Sequence, residues 1–145
     1  MTDISTSKPK GTFWAIAIFA LVWNLLGVLA YLGQVLMTDE ALAALPKEQQ
    51  ELYTNVPTWA TAAFALAVWC GFLGSIFLLI RKKLAKSLFL VSLLGILVQM
   101  LYNFFMSKNI EVYGPGGYVM PIMVIIIGFF LVWYSKDADS KGYLK

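Results

Sequence analysis

Four long runs without Asp, Glu, Lys or Arg divide the chain: residues 11–37, 52–80, 87–107 and 112–135. Each is apolar for well over the length of a globular core helix. A bilayer core of about 30 Å needs roughly 20 helical residues at about 1.5 Å rise each. All four runs meet that length and predict membrane-spanning helices with cores at residues 12–36, 57–80, 87–106 and 118–134. The first run is too long for the h-region of a signal peptide, about 7–15 residues. It continues past Trp23 and Leu32 to Met37, so it is read as a retained span. The reading is a single all-α domain over residues 1–145, an integral membrane four-helix bundle.

Between the first two spans the pattern turns amphipathic. Thr38 can cap a helix start, and Asp39 and Glu40 complement the helix dipole in its first turn. Pro46 either breaks this helix or opens a second one. Residues 38–53 are therefore expected to form a short helical cap on the outer surface. The third connection ends in Gly114, Pro115, Gly116 and Gly117, a turn signal.

Within the spans, positions at heptad spacing share one helix face. In the first span that face holds Asn24, Gly27, Tyr31 and Gln34; in the third, Ser92, Gly95, Gln99 and Tyr102, with Asn103 beside them. The two segments align without gaps around their glycines, WNLLGVLAYLGQ against VSLLGILVQMLY, so the chain can be read as two helical hairpins in parallel repeat. The second span carries a small-residue stripe, Ala60, Ala63, Ala67, Cys70 and Gly74, and the fourth carries Gly117, Pro121, Val124, Gly128 and Leu131. Small residues let helices approach closely in lipid, where no hydrophobic force draws them together. Gly27, Gly71, Gly74 and Gly95 are the expected packing positions. The amides of the seam have two readings. They are inter-helix glue, or Asn24, Tyr31, Gln34, Gln99, Tyr102 and Asn103 line a site for a small polar solute.

Composition sharpens this picture. Of 145 residues, 60% are hydrophobic and 13% charged, against about 25% charged in soluble domains. The mean hydropathy is +0.76. Charge then sets direction. The N-terminal segment, the second connection and the C-terminal tail hold nine of the eleven Lys and Arg; the other two connections hold Lys47 and Lys108. The positive-inside rule places both termini in the cytoplasm. Asp39, Glu40, Glu48 and Glu51 make the first connection acidic, as suits the outer face. Trp14, Trp133 and Tyr134 are expected at the inner interface, Trp59 and Tyr118 at the outer one. Arg81, Lys82, Lys83 and Lys86 are read as topology determinants within reach of anionic lipid headgroups.

The chemistry available is narrow. The single cysteine, Cys70, excludes an intramolecular disulfide and a Cys-x-x-Cys pair. The absence of histidine removes His-based zinc sites and histidine proton relays. No span carries an ionisable Asp, Glu, Lys or Arg to hold a coupled proton or ion, which disfavours proton-coupled export. No catalytic residue, metal site or cofactor is expected, the protein is not expected to be an enzyme, and no nucleic acid is an expected partner.

The chain resembles a family of small four-span bacterial inner-membrane proteins of unknown function. The resemblance rests on Trp23–Asn24-x-x-Gly27 with Tyr31 and Gln34, on Pro57-x-Trp59–Ala60, and on Ala67–Val68 with Gly71-x-x-Gly74 and Arg81. It extends from Phe13 to Gln99. Members often carry the label "sugar transporter". The resemblance implies a multi-pass protein of the bacterial inner membrane. The expected function is transport or channelling of a small polar solute, a sugar among the candidates, by a homo-oligomer. The alternative is a non-transporting accessory or scaffold subunit bound to a membrane protein partner. Membrane lipid surrounds the protein in either case.

Overall fold

The computed structural model describes residues 8–106, 111 and 114–144. Among these residues every regular element is helical. Helix α1 spans Gly11–Val35, α2 Asp39–Ala43, α3 Lys47–Thr54, α4 Thr58–Leu79 and α5 Leu84–Leu101. A π-helical turn, Tyr102–Met106, extends α5; a 3-10 turn, Gly114–Tyr118, leads into α6, Val119–Ser140. The four long helical segments, Gly11–Val35, Thr58–Leu79, Leu84–Met106 and Gly116–Ser140, are each long and apolar enough to cross a membrane. The molecule is a multi-pass, all-helical four-helix bundle.

The expected cap between the first two spans is two helices. Thr38 Oγ1 accepts the Ala41 N–H at 3.1 Å and opens α2. Pro46, which lacks an N–H and adopts φ −56° and ψ 147°, caps the start of α3. Gln50 Nε2 donates to Leu45 O at 2.8 Å and fastens the two together. Neither helix buries a residue. Of the third connection, residues 107–110 and 112–113 lie outside the described residues, and Lys108 with them; so does Lys145.

In the bundle, α4 and α5 form the central antiparallel pair, with α1 packed against α4 and α6 against α5. Packing is uneven along the bundle axis. At the end that carries the α4–α5 turn, here the basic end, one core gathers Phe13, Ala17 and Ala20 of α1 with Leu78 of α4. Ala85, Phe89 and Leu93 of α5, Leu131, Val132, Tyr134 and Ala138 of α6, and Tyr143 and Leu144 beyond it complete the core. Beyond Ala20, α1 buries only Val28; before Leu131, α6 buries only Pro121. The outer flanks therefore present Leu25, Leu26, Leu29, Ile126 and Phe129 to the surroundings, as a lipid solvent requires.

Two helix ends at the basic end are built alike. After α4, Arg81 sits at φ 60°, its N–H donating to Leu78 O at 3.0 Å, and the Lys82 N–H donates to Phe77 O at 2.8 Å. After α6, Gly142 sits at φ 77°, its N–H donating to Asp139 O at 3.0 Å, and the Tyr143 N–H donates to Ala138 O at 2.9 Å. Both are Schellman caps. Glycine takes the left-handed conformation without a Cβ clash; arginine takes it at a cost of about 1–2 kcal/mol.

Candidate functional site

The polar seam splits into two parts with different bonding. The deep part centres on Gly71 of α4. Asn24 Nδ2 donates to Ala20 O, 2.8 Å away in its own helix, and to Ser75 Oγ across the α1–α4 interface at 3.1 Å. Ser75 Oγ in turn donates to Gly71 O at 2.8 Å. From the other side, Ser92 Oγ of α5 donates to Ala67 O of α4 at 2.6 Å. Ser75 and Ser92 are buried. A Cβ on Gly71 would overlap Asn24 Oδ1 and lie 3.1 Å from Ser92 Oγ. The hydrogen of Gly71 thus makes room for the two polar side chains that arrive from α1 and α5.

The packing glycines bring other surfaces close. A Cβ on Gly95 would stand 2.9 Å from Ala63 O and 3.0 Å from Ala67 N, so α5 meets the α4 backbone directly. Gly27 receives Val68 and Gly74 receives Phe89, with a would-be Cβ at 3.2 and 3.1 Å respectively. The small-residue stripe of α4 thus meets α5 at Ala63, Ala67 and Gly74, whereas Gly27 of α1 meets Val68 beside the stripe.

The second part of the seam lies toward the opposite, acidic end. Tyr31 meets Phe64 edge-on with ring centres 5.4 Å apart, and Tyr102 meets Trp59 edge-on at 5.9 Å. Asn103 sits on the π-helical turn, where its Nδ2 approaches Met100 Sδ at 3.8 Å. Gln34, Gln99 and Asn103 are half-buried, and among the described residues none of their amides makes a hydrogen bond to nitrogen or oxygen. Phe104 of the same π turn stacks on Tyr118 at 5.9 Å. The structure therefore places Tyr31 and Gln34 along α1, Gln99 along α5, and Tyr102 and Asn103 on the π turn. No hydrogen bond joins any two of the six candidate residues.

The four basic residues of the α4–α5 turn are engaged largely within the molecule. Arg81 Nε donates to Tyr143 O at 2.7 Å. Lys86 Nζ lies 2.5 Å from Asp139 Oδ2, and Lys83 Nζ lies 3.7 Å from Asp139 Oδ1. Lys82 is exposed. On the final turn of α6, Lys141 pairs with Asp137 at 3.0 Å, and the carboxylate holds the exposed ammonium above the ordinary lysine range.

Several of these partners carry no signal in a hydropathy reading. Ser75 follows Gly71 by one helical turn inside an apolar run, where a serine is ordinarily neutral. Asp139 and Tyr143 lie in a tail whose lysines suggest only topology; the signal there is Gly142 after a helical stretch, the mark of a Schellman cap. Among the described residues no three His, Cys, Asp or Glu side chains cluster as a metal site would need.

Comparison with protein-family models, with curated proteins and with solved structures finds no match for this chain.

Proposed function

We propose that the protein is a transporter or channel for a small polar solute, a sugar-like polyol being the fitting class, and that it works as an oligomer in the bacterial inner membrane. The observation that carries this reading is the contrast within the seam. Asn24, Ser75 and Ser92 are bonded to backbone or side-chain oxygens of the protein, whereas among the described residues Gln34 and Gln99 keep half-buried amides without such partners and Asn103 reaches only Met100 Sδ. An amide beside lipid is costly unless something bonds it, and water or a hydroxylated solute meets that need. The neighbouring rings of Trp59, Tyr102, Phe104 and Tyr118 offer the apolar walls against which a sugar ring face packs. Asn103 and Tyr102 also lie on a π-helical turn, a distortion frequent at functional sites. The oligomer enters because α1, α4 and α5, packed this closely around Gly71, leave the path to be shared between copies.

The test is counterflow of a panel of labelled monosaccharides and polyols in proteoliposomes. Replacing Gln99 and Asn103 by Leu together is expected to reduce uptake of the best solute at least about tenfold, corresponding to about 1.4 kcal/mol or more. Uptake equal to the parent protein's would sink the reading.

A second reading, a non-transporting accessory subunit, is favoured by the same close packing at Gly71 and by the bare outer flanks of α1 and α6. It predicts one stoichiometric membrane partner of different sequence in native nanodiscs. Recovery of homo-oligomers alone counts against it.

A further inference from the structure

The last described residues, Tyr143 and Leu144, are buried at 8% and 3% exposure, although they follow the final helix of a membrane bundle. They return to the bundle because Gly142 turns the chain back at φ 77°. Tyr143 then packs edge-on to Phe13 of α1 with ring centres 5.5 Å apart, and Phe13 also meets Tyr134 of α6 at 6.3 Å. The tail is thereby wedged where the first and last spans approach each other. Two polar tethers hold it to the α4–α5 turn: Arg81 to the Tyr143 carbonyl, and Lys86 with Lys83 to Asp139.

Three features distinguish this arrangement from ordinary end packing. Arg81 occupies a left-handed conformation that favours glycine, and from there its guanidinium reaches the tail. The tethers join residues 62 and 53 positions apart. Both flanking helices, α1 and α6, are bare over their far halves, so the basic end is where the bundle closes around them.

We propose that residues 136–144 are a latch. It holds α1 and α6 together across the α4–α5 turn, and breaking the Asp139 tether lets α6 swing away from α1. Lys83 and Asp139 retain 60% and 20% side-chain exposure, so the tether is open to competing ions at the membrane surface. The latch stands independently of any transported solute, because its readout is a distance and not a flux.

The experiment places nitroxide labels at Lys10→Cys and Lys136→Cys in a Cys70→Ala background, in lipid nanodiscs, and reads the distance distribution by pulsed electron resonance. A second pair, Gly33→Cys and Thr58→Cys, reports the α1–α4 contact at the far end. The latched protein is expected to give one narrow distribution for each pair. Asp139→Lys is expected to add a longer-distance population to the first pair and leave the second narrow. Adding Lys86→Glu to Asp139→Lys is expected to restore the single population by reversing the pair. Removal of residues 141–145 is expected to open the first pair as well. An unchanged first pair in both Asp139→Lys and the truncation overturns the latch. So does simultaneous broadening of both pairs, which would make the tail part of the common fold and not a separable closure.

Discussion

Asn24 commits both amide hydrogens inside the bundle, one to Ala20 O and one to Ser75 Oγ, and its carbonyl oxygen rests on Gly71. Replacing it with leucine removes the inter-helix bond and puts a branched methyl pair where only an oxygen now meets Gly71. The bond is worth about 1–2 kcal/mol at most in lipid, and overpacking typically adds about 1–3 kcal/mol. Gln34→Leu, by contrast, removes no hydrogen bond made within the described residues and is expected to be near neutral. Unfolding of both variants in detergent against denaturant checks this contrast. Equal stability of the two would mean that the deep and shallow parts of the seam do not differ. Heptad spacing already placed Asn24 and the shallow amides on one face. It could not separate them, because the difference lies in what α4 offers: Ser75 and a Cβ-free Gly71 opposite Asn24, aromatic rings opposite Tyr31 and Tyr102.

Helix lengths follow the apolar runs closely in α1 and α4, which end within a residue of the expected limits. Elsewhere hydropathy and helicity part company. The expected core of the fourth span stops at Tyr134, yet α6 continues to Ser140 through Lys136, Asp137 and Asp139, because charged residues end a membrane span without ending a helix. The helix stops where a cap stops it, at Gly142. The end of α4 was harder to foresee: a left-handed residue after a helix is ordinarily glycine, and here it is Arg81. The two caps make convergent predictions. Gly142→Ala forces a Cβ into the left-handed region and is expected to weaken docking of the tail by about 1–2 kcal/mol. Trypsin cleavage after Lys141 in inside-out vesicles should then accelerate about tenfold, since cleavage follows the population of the undocked tail. A cleavage rate matching the parent's would show that the cap does not hold the tail. Arg81→Gly relieves the same backbone cost at α4 but removes the tether to Tyr143, so it too should speed cleavage after Lys141.

Across the molecule, the charges sort by end. Arg81, Lys82, Lys83, Lys86, Lys136 and Lys141 lie with the start of α1 and the end of α6 at one end of the bundle, and Asp39, Glu40, Glu48 and Glu51 lie on the two short helices at the other. Asp137 and Asp139 reduce the net charge of the basic end, and Asp139 is held by Lys83 and Lys86. Acidic residues contribute little to orientation, however, so the excess of Lys and Arg decides it. By the positive-inside rule, this excess predicts a single orientation in the membrane. Copies in an oligomer would then stand parallel, each offering the same bare flanks of α1 and α6 to its neighbours, so that a shared path would repeat around an axis along the membrane normal. Single cysteines at Glu48 and Lys136, again with Cys70→Ala, separate the cases. In intact spheroplasts an impermeant maleimide should label Glu48→Cys fully and Lys136→Cys only after lysis. Labelling of both before lysis would mean copies inserted both ways. Any path between copies would then run between antiparallel bundles, with the outer amides of one copy set beside the latch of the next.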